Sequence, residues 1–124
     1  MWAIDLELIE SWLDRQDEVT VARILDALEQ LKQNGPTQGR PLVDTLKHTK
    51  VKNLKELRPA SPGATEVRIL FAFDPKRKAI MLLDGDKSKG KNGRVKWAGW
   101  YEEAIPKAEK LYEEHLSRQG GNDA

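Results

Sequence analysis

Ten positions of this chain, 87 to 96, hold five cations: Lys87, Lys89, Lys91, Arg94 and Lys96. They follow directly on an apolar run that ends at Leu83. Two arginines stand upstream. Arg58 closes "LKELR" and Arg68 lies inside "EVRILFAFD". Guanidinium is planar, bidentate and permanently charged, so two arginines converging on one surface make a clamp for phosphate. "KWAGWYEEA" sets Trp97, Trp100 and Tyr101 beside the cations. Aromatic rings in a basic groove stack single-stranded bases. Each feature also has a plain structural reading. Arg68 can pair across a sheet with an acid such as Glu56. The lysine-rich stretch can be a solvated loop. Trp97 and Trp100 are better read as docking a helix on a sheet, while the Tyr101 hydroxyl is open to use as acid, base or donor.

Other chemistries are excluded by what is missing. The 124 residues include no cysteine and only two histidines, His48 and His115. There is therefore no disulfide framework and no cysteine-based zinc site. His115 falls on an apolar helical stripe and is expected to pack, while His48 in "DTLKHTK" is expected to be exposed. Two distant histidines do not make a zinc site. No glycine-rich phosphate loop, nucleophile elbow or HExxH motif occurs. Catalysis has to rest on lysine, arginine, tyrosine and carboxylates, with no cofactor and no metal expected.

Charge is segregated along the chain, although the formal net charge is only +1. Residues 1–34 sum to −5, residues 35–98 to +9 and residues 99–124 to −3. A basic middle favours phosphate-bearing partners. No apolar run is long enough to span a bilayer. The acidic start lacks the basic region of a signal peptide. The absence of cysteine fits a reducing compartment. A cytoplasmic protein with no membrane partner is expected.

The elements that must position these residues follow from periodicity. "WAI" reads as a first short strand. Apolar residues at Leu6, Ile9 and Leu13 keep helical spacing. Asp17 is a plausible N-cap for a second helix, with Val21, Ile24, Leu25, Leu28 and Leu31 as its stripe. "NGP" at 34–36 stops that helix. Residues 42–53 read as irregular, with at most one helical turn. Strands are expected at 54–58, 66–74 and 78–84. On the second of these, Val67, Ile69, Phe71 and Phe73 point one way and Arg68, Leu70 and Ala72 the other. After Gly99 helical spacing returns, with Pro106 tolerable in a first turn or at a kink. The predicted architecture is one α+β domain over residues 1–117. An N-terminal helical hairpin packs on one face of a twisted antiparallel sheet, a C-terminal helix follows, and the other sheet face is left open to solvent or a partner. Residues 118–124 are expected to be a flexible tail.

Three stretches together resemble a known family: "GRPLVDTLKHTKVKNLKELRP", "EVRILFAFDPKRKAIMLLDGDKSKG" and "WYEEAIPKAEKLYEEHL". Their order and spacing are similar to those of the RelE/ParE superfamily of toxin–antitoxin toxins, in its HigB-like, phage-derived branch. The resemblance covers roughly residues 20–117. It implies a RelE-like fold and metal-independent cleavage of mRNA on the ribosome, in which the 2′-hydroxyl attacks the adjacent phosphate. By that resemblance Arg68, Lys87, Lys89 and Tyr101 are the catalytic candidates. Arg58, Lys55, Lys91 and Arg94 are the RNA-binding candidates. A cognate HigA-like antitoxin is the implied protein partner. The same superfamily contains gyrase poisons and members without activity, so a non-catalytic ParE-like toxin and an inactive antitoxin-binding module remain alternatives.

Overall fold

Strand β4 (Thr65–Phe73) and strand β5 (Lys78–Ser88) form the central antiparallel pair. Their alternation is apolar on both sides. Val67, Ile69, Phe71 and Met81 join one buried cluster, and Leu70, Ala72, Ile80 and Leu82 join another. A sheet with two apolar faces must be covered on both. The computed structural model, which describes residues 1–61, 64–92 and 95–121, shows both covers.

Ile24, Ala27, Leu28 and Leu31 of helix α2 (Glu18–Asn34) pack on the first face, with Ile9 and Trp12. Ala104 and Ala108 of helix α3 (Ala98–Gly121) pack on the second. The expectation of an open sheet face is thus corrected. The other face carries Leu70, Ala72, Ile80 and Leu82, and burying them recruits the last helix.

The sheet has five strands in the order β1-β5-β4-β3-β2. Strand β2 (Val43–Thr45) and strand β3 (Lys55–Leu57) pair antiparallel with each other, and β3 pairs antiparallel with β4. Strand β1 (Ala3–Asp5) runs parallel to β5, so the sheet is mixed rather than wholly antiparallel. Pairing direction depends on which edge is free when the segment docks, and a three-residue strand carries no mark of it. Strand β2 falls in the stretch expected to be irregular. It is a strand only because Val43 finds Leu57 opposite it, a long-range contact that local propensity does not register.

The helical hairpin is present in compressed form. A 3₁₀ turn (Glu7–Ile9) runs into helix α1 (Glu10–Leu13), and α2 follows. The Asp17 carboxylate caps α2 by accepting from the Thr20 N–H at 2.7 Å. Helix α2 stops at Gly35, whose φ of +54° suits glycine, and the Trp2 indole packs on the space a Cβ would fill. Leu25, placed on the stripe by spacing, is half exposed. Pro106 lies inside α3 rather than in its first turn. The helix runs on to Gly121, through residues assigned to a tail, and 122–124 lie outside the described residues. Among the described residues, no helix is long and apolar enough to cross a membrane.

Candidate functional site

Arg68 lies opposite Gly85 in the β4–β5 register, on the face that carries α3. The neighbouring strand sets Glu56 opposite Leu70 on the same face, and its side chain is wholly buried. A buried carboxylate requires partners on every lone pair it keeps from water. Glu56 has them. Arg58 Nε donates to its Oε1 at 2.5 Å, and the Tyr101 hydroxyl donates to Oε2. Arg68 Nη1 donates to that hydroxyl and stands 3.9 Å from Glu56 Oε1. Its Nη2 is 3.3 Å from Glu66 Oε1, which also accepts from Trp97 Nε1 at 2.9 Å. The guanidinium lies over the Trp97 ring, 4.7 Å from the centroid. Arg68 Nε is buried with no hydrogen-bond partner.

The two arginines therefore converge, as the sequence suggested, but through acids rather than on a bare cationic floor. Arg58 also reaches Asp44 Oδ2 at 3.7 Å, and keeps part of its fork in solvent. Partial burial works against the Arg58 charge. The Glu56 hydrogen bond and charge, helped by Tyr101 and Asp44, outweigh it and hold the guanidinium more firmly protonated than usual. Burial pushes the Tyr101 phenol up, the hydrogen bond and charge of Glu56 push it further, and Arg68 only partly opposes them. The result is about 12. A phenol held there stays protonated near neutral pH and acts as a donor rather than a base.

Beside this network opens a cleft of about 550 Å³ between the β2–β3 connection and α3. Arg58, Arg68 and Tyr101 line one side, Lys47 and His48 the rim, and Leu46 and Ile105 give it apolar surface. The rim is pinned to α3. Buried Glu109 accepts from Thr49 Oγ1 at 2.7 Å and from the Lys50 N–H at 2.6 Å. Burial alone would raise the Glu109 carboxyl, but these donors and the Lys50 charge overcome it and hold the group below its ordinary range.

The lysines divide. Lys87 sits opposite Glu66, with its ammonium 5.5 Å from the Trp97 ring centroid, and so borders Arg68. Lys89 donates to the Ser61 carbonyl, and Ser61 lines a different cavity, between the start of α2 and the β3–β4 connection. Lys55 alternates with Glu56 and points to the opposite sheet face, where it donates to Thr45 Oγ1 at 3.1 Å. Lys91 is exposed in the connection after β5. Arg94 lies outside the described residues. Trp97 is buried, and the Trp100 ring occupies the space beside Gly85, so both tryptophans dock α3 on the sheet. His115 packs against Asp74, 2.9 Å away. Among the described residues no group of three histidines and carboxylates is placed to hold a metal.

Sequence reasoning missed Lys47 and His48 as cleft residues. Nothing in "DTLKHTK" signals a rim, because the turn that aims it is closed by Glu109, some sixty positions along the chain.

The model of a family described as phage-derived protein Gp49-like matches residues 11–113, a span that includes every cleft residue named above. Two proteins of Mycobacterium tuberculosis are similar over nearly the whole chain. One, named "Putative toxin HigB2", is 48% identical over 117 residues, covering 94% of this chain and 55% of its own length. This chain thus spans about half the length of that relative. The other, named "Putative toxin HigB3", is 40% identical over 121 residues, 98% of each chain. With most of its length matched, the cleft included, this chain belongs to the Gp49-like family of phage-derived proteins.

Proposed function

We propose that this protein is the toxin of a toxin–antitoxin pair, and that it cuts mRNA on the ribosome in the cytoplasm without a metal. The observation that carries the reading is the convergence of Arg58 and Arg68 at the wall of one cleft, with Tyr101 as a fixed donor between them. The names of the two relatives support the toxin half. In the reaction, the 2′-hydroxyl of one nucleotide attacks the phosphate that joins it to the next. Charge builds on the phosphoryl oxygens, and preorganised cationic donors stabilise it. Arg68 is held rigidly by Glu66, Trp97 and Tyr101, which suits it to that role. Arg58, half in solvent, is placed to grip a neighbouring phosphate. A cognate antitoxin would neutralise the basic rim with an acidic segment.

A second reading has an observation behind it. Both arginines already sit on carboxylates, as expected of a toxin that blocks a protein target such as gyrase, or of a module that only binds its antitoxin. Expression in bacteria separates the readings. Growth and mRNA 5′ ends are followed together for the wild type, Arg58→Ala and Arg68→Ala, with the folding of each variant checked by circular dichroism. The nuclease reading expects growth arrest with new, codon-phased mRNA ends. Arg68→Ala should lower cleavage by roughly 10²–10³-fold. Arrest with intact mRNA and impaired supercoiling would establish the protein-blocking reading instead, and no arrest from abundant, folded protein would establish the inactive module.

A further inference from the structure

We infer that His48, left out of the catalytic set that the sequence suggested and placed in the cleft lining by the fold, is its proton-transfer residue, a proposal that rests on the nuclease reading. Cleavage at a 2′-hydroxyl needs a group that takes a proton near neutral pH, and the network described above leaves few. Tyr101 donates its own proton to Glu56. Glu109 is occupied by Thr49 and Lys50. Lys89 is turned onto Ser61, and Lys87 lies against Trp97. Among the described cleft residues, His48 is the one imidazole, a side chain that can take a proton on a ring nitrogen and hand it on.

Its backbone supports the assignment independently. His48 has φ +59°, in the left-handed region that residues other than glycine enter uncommonly, and among the described residues that share it, with Asn53 and Arg77, it is the one that lines the cleft. Such conformations persist where surrounding contacts over-determine them, and they gather at functional sites. The contacts are here. Leu46 N–H donates to the Leu54 carbonyl at 2.9 Å on one side, and Glu109 holds Thr49 and Lys50 on the other. Val51 and Leu54 are buried beneath. The loop is thus clamped at both ends while the imidazole itself stays exposed at the rim. A turn tied down on both sides of an exposed, left-handed histidine presents that side chain rather than buries it.

In the proposed step, neutral His48 takes the 2′-hydroxyl proton as the 2′-oxygen's electron pair forms the bond to phosphorus. The P–O5′ bond breaks with its pair on O5′, and water protonates that oxygen. The imidazolium then returns its proton to solvent. The products are a 2′,3′-cyclic phosphate and a 5′-hydroxyl, and no oxidant, reductant or metal is consumed. The titratable and charged groups that line the cleft with His48 are Lys47 on its own loop, Arg58 just after β3, Arg68 from β4, and Tyr101, Glu102 and Glu109 from α3.

The test uses full-length protein, programmed ribosomes and the variant His48→Asn. Asparagine tolerates the left-handed backbone, so the turn survives while the titrating group goes. Cleavage is followed against pH, and the His48 ring is followed by NMR as an RNA dinucleotide with a 2′-deoxy group at the scissile position is added. The expected result is a 10²-fold or greater loss of cleavage in His48→Asn, loss of the acidic limb of the wild-type pH profile, and a shift of the ring signal on adding the dinucleotide. Wild-type cleavage with His48→Asn equally active and identical in pH profile would overturn the His48 assignment and leave the nuclease reading standing. Wild-type protein that cuts nothing would overturn both, whether or not the dinucleotide moves the ring.

Discussion

The Tyr101 hydroxyl, in the first turn of α3, donates to the Glu56 carboxylate buried in β3, 45 positions earlier in the chain. Glu56 in turn holds Arg58 at 2.5 Å, so one carboxylate ties the last helix to the arginine pair. Tyr101→Phe leaves a wholly buried carboxylate oxygen short of a donor. A loss of about 1.5–3 kcal/mol in urea unfolding is expected, since hydrogen bonds to charged groups fall in that range. A double-mutant cycle with Glu56→Gln should return a coupling of roughly 0.5–3 kcal/mol, because the two residues share one network. The phenol adds a sign that can be checked. Its folded pKa of about 12 lies above the unfolded value near 10.0, so the stability it contributes is full below pH 10 and is lost as pH rises toward 12. Burial also raises Tyr112, the other of the two tyrosines, so tyrosinate absorbance should show two raised titrations in the wild type and one in Tyr101→Phe.

Asp74, at the turn between β4 and β5, is a second anchor for α3. Its side chain is fully buried. It accepts from His115 Nε2 at 2.9 Å, from Gln119 Nε2 at 2.6 Å, and from the N–H groups of Lys76 and Lys78 at 2.9 Å each. Burial would raise the Asp74 carboxyl, but the hydrogen bonds from His115, Lys78, Gln119 and Lys76 overcome it and the net shift is downward. A lowered folded pKa contributes stability above the unfolded value, here 3.8, and loses it as pH falls through the folded value. Urea unfolding at several pH values should therefore show wild-type stability dropping below about pH 4, with a flatter acid limb in Asp74→Asn.

Gly85 lies opposite Arg68, and a Cβ there would come within 2.4 Å of the Trp100 ring. The residue after Trp100 is Tyr101, so the ring sets the approach of the donor to Glu56. Gly85→Ala should cost about 1–3 kcal/mol by overpacking. Near-ultraviolet circular dichroism should change with it, since Trp97, Trp100 and Tyr101 stack edge to face at 4.9 and 5.1 Å. An unchanged aromatic spectrum with unchanged stability would mean that α3 re-seats without strain.

Much of the architecture was legible in the residue pattern because it rests on local rules. Asp17 caps α2, Gly35 ends it, and the alternation through Val67, Ile69 and Phe71 marks one buried face of β4. Apolar period and turn chemistry act within a few residues, so the sequence displays them directly. The two arginines were legible too, since spacing alone placed Arg68 on the face opposite Ile69 and beside Glu56.

Only the tertiary structure decided what those arginines meet. The closure of Glu56 by Tyr101, the stacking of Arg68 on Trp97 and the clamping of the His48 turn by Glu109 each join residues more than twenty-five positions apart. The pairing of Val43–Thr45 with Lys55–Leu57 spans a loop that no local pattern marks, and β1 takes its direction from β5, far along the chain. Such contacts follow from which surfaces remain unburied once the helices have docked, a property of the whole chain that no local window contains. The cation-rich stretch after Leu83 shows the same division. Its charge was evident from composition, but the sheet register sent Lys87 to Trp97 and the β3–β4 connection drew Lys89 to Ser61, because each ammonium takes the nearest acceptor or ring the fold supplies.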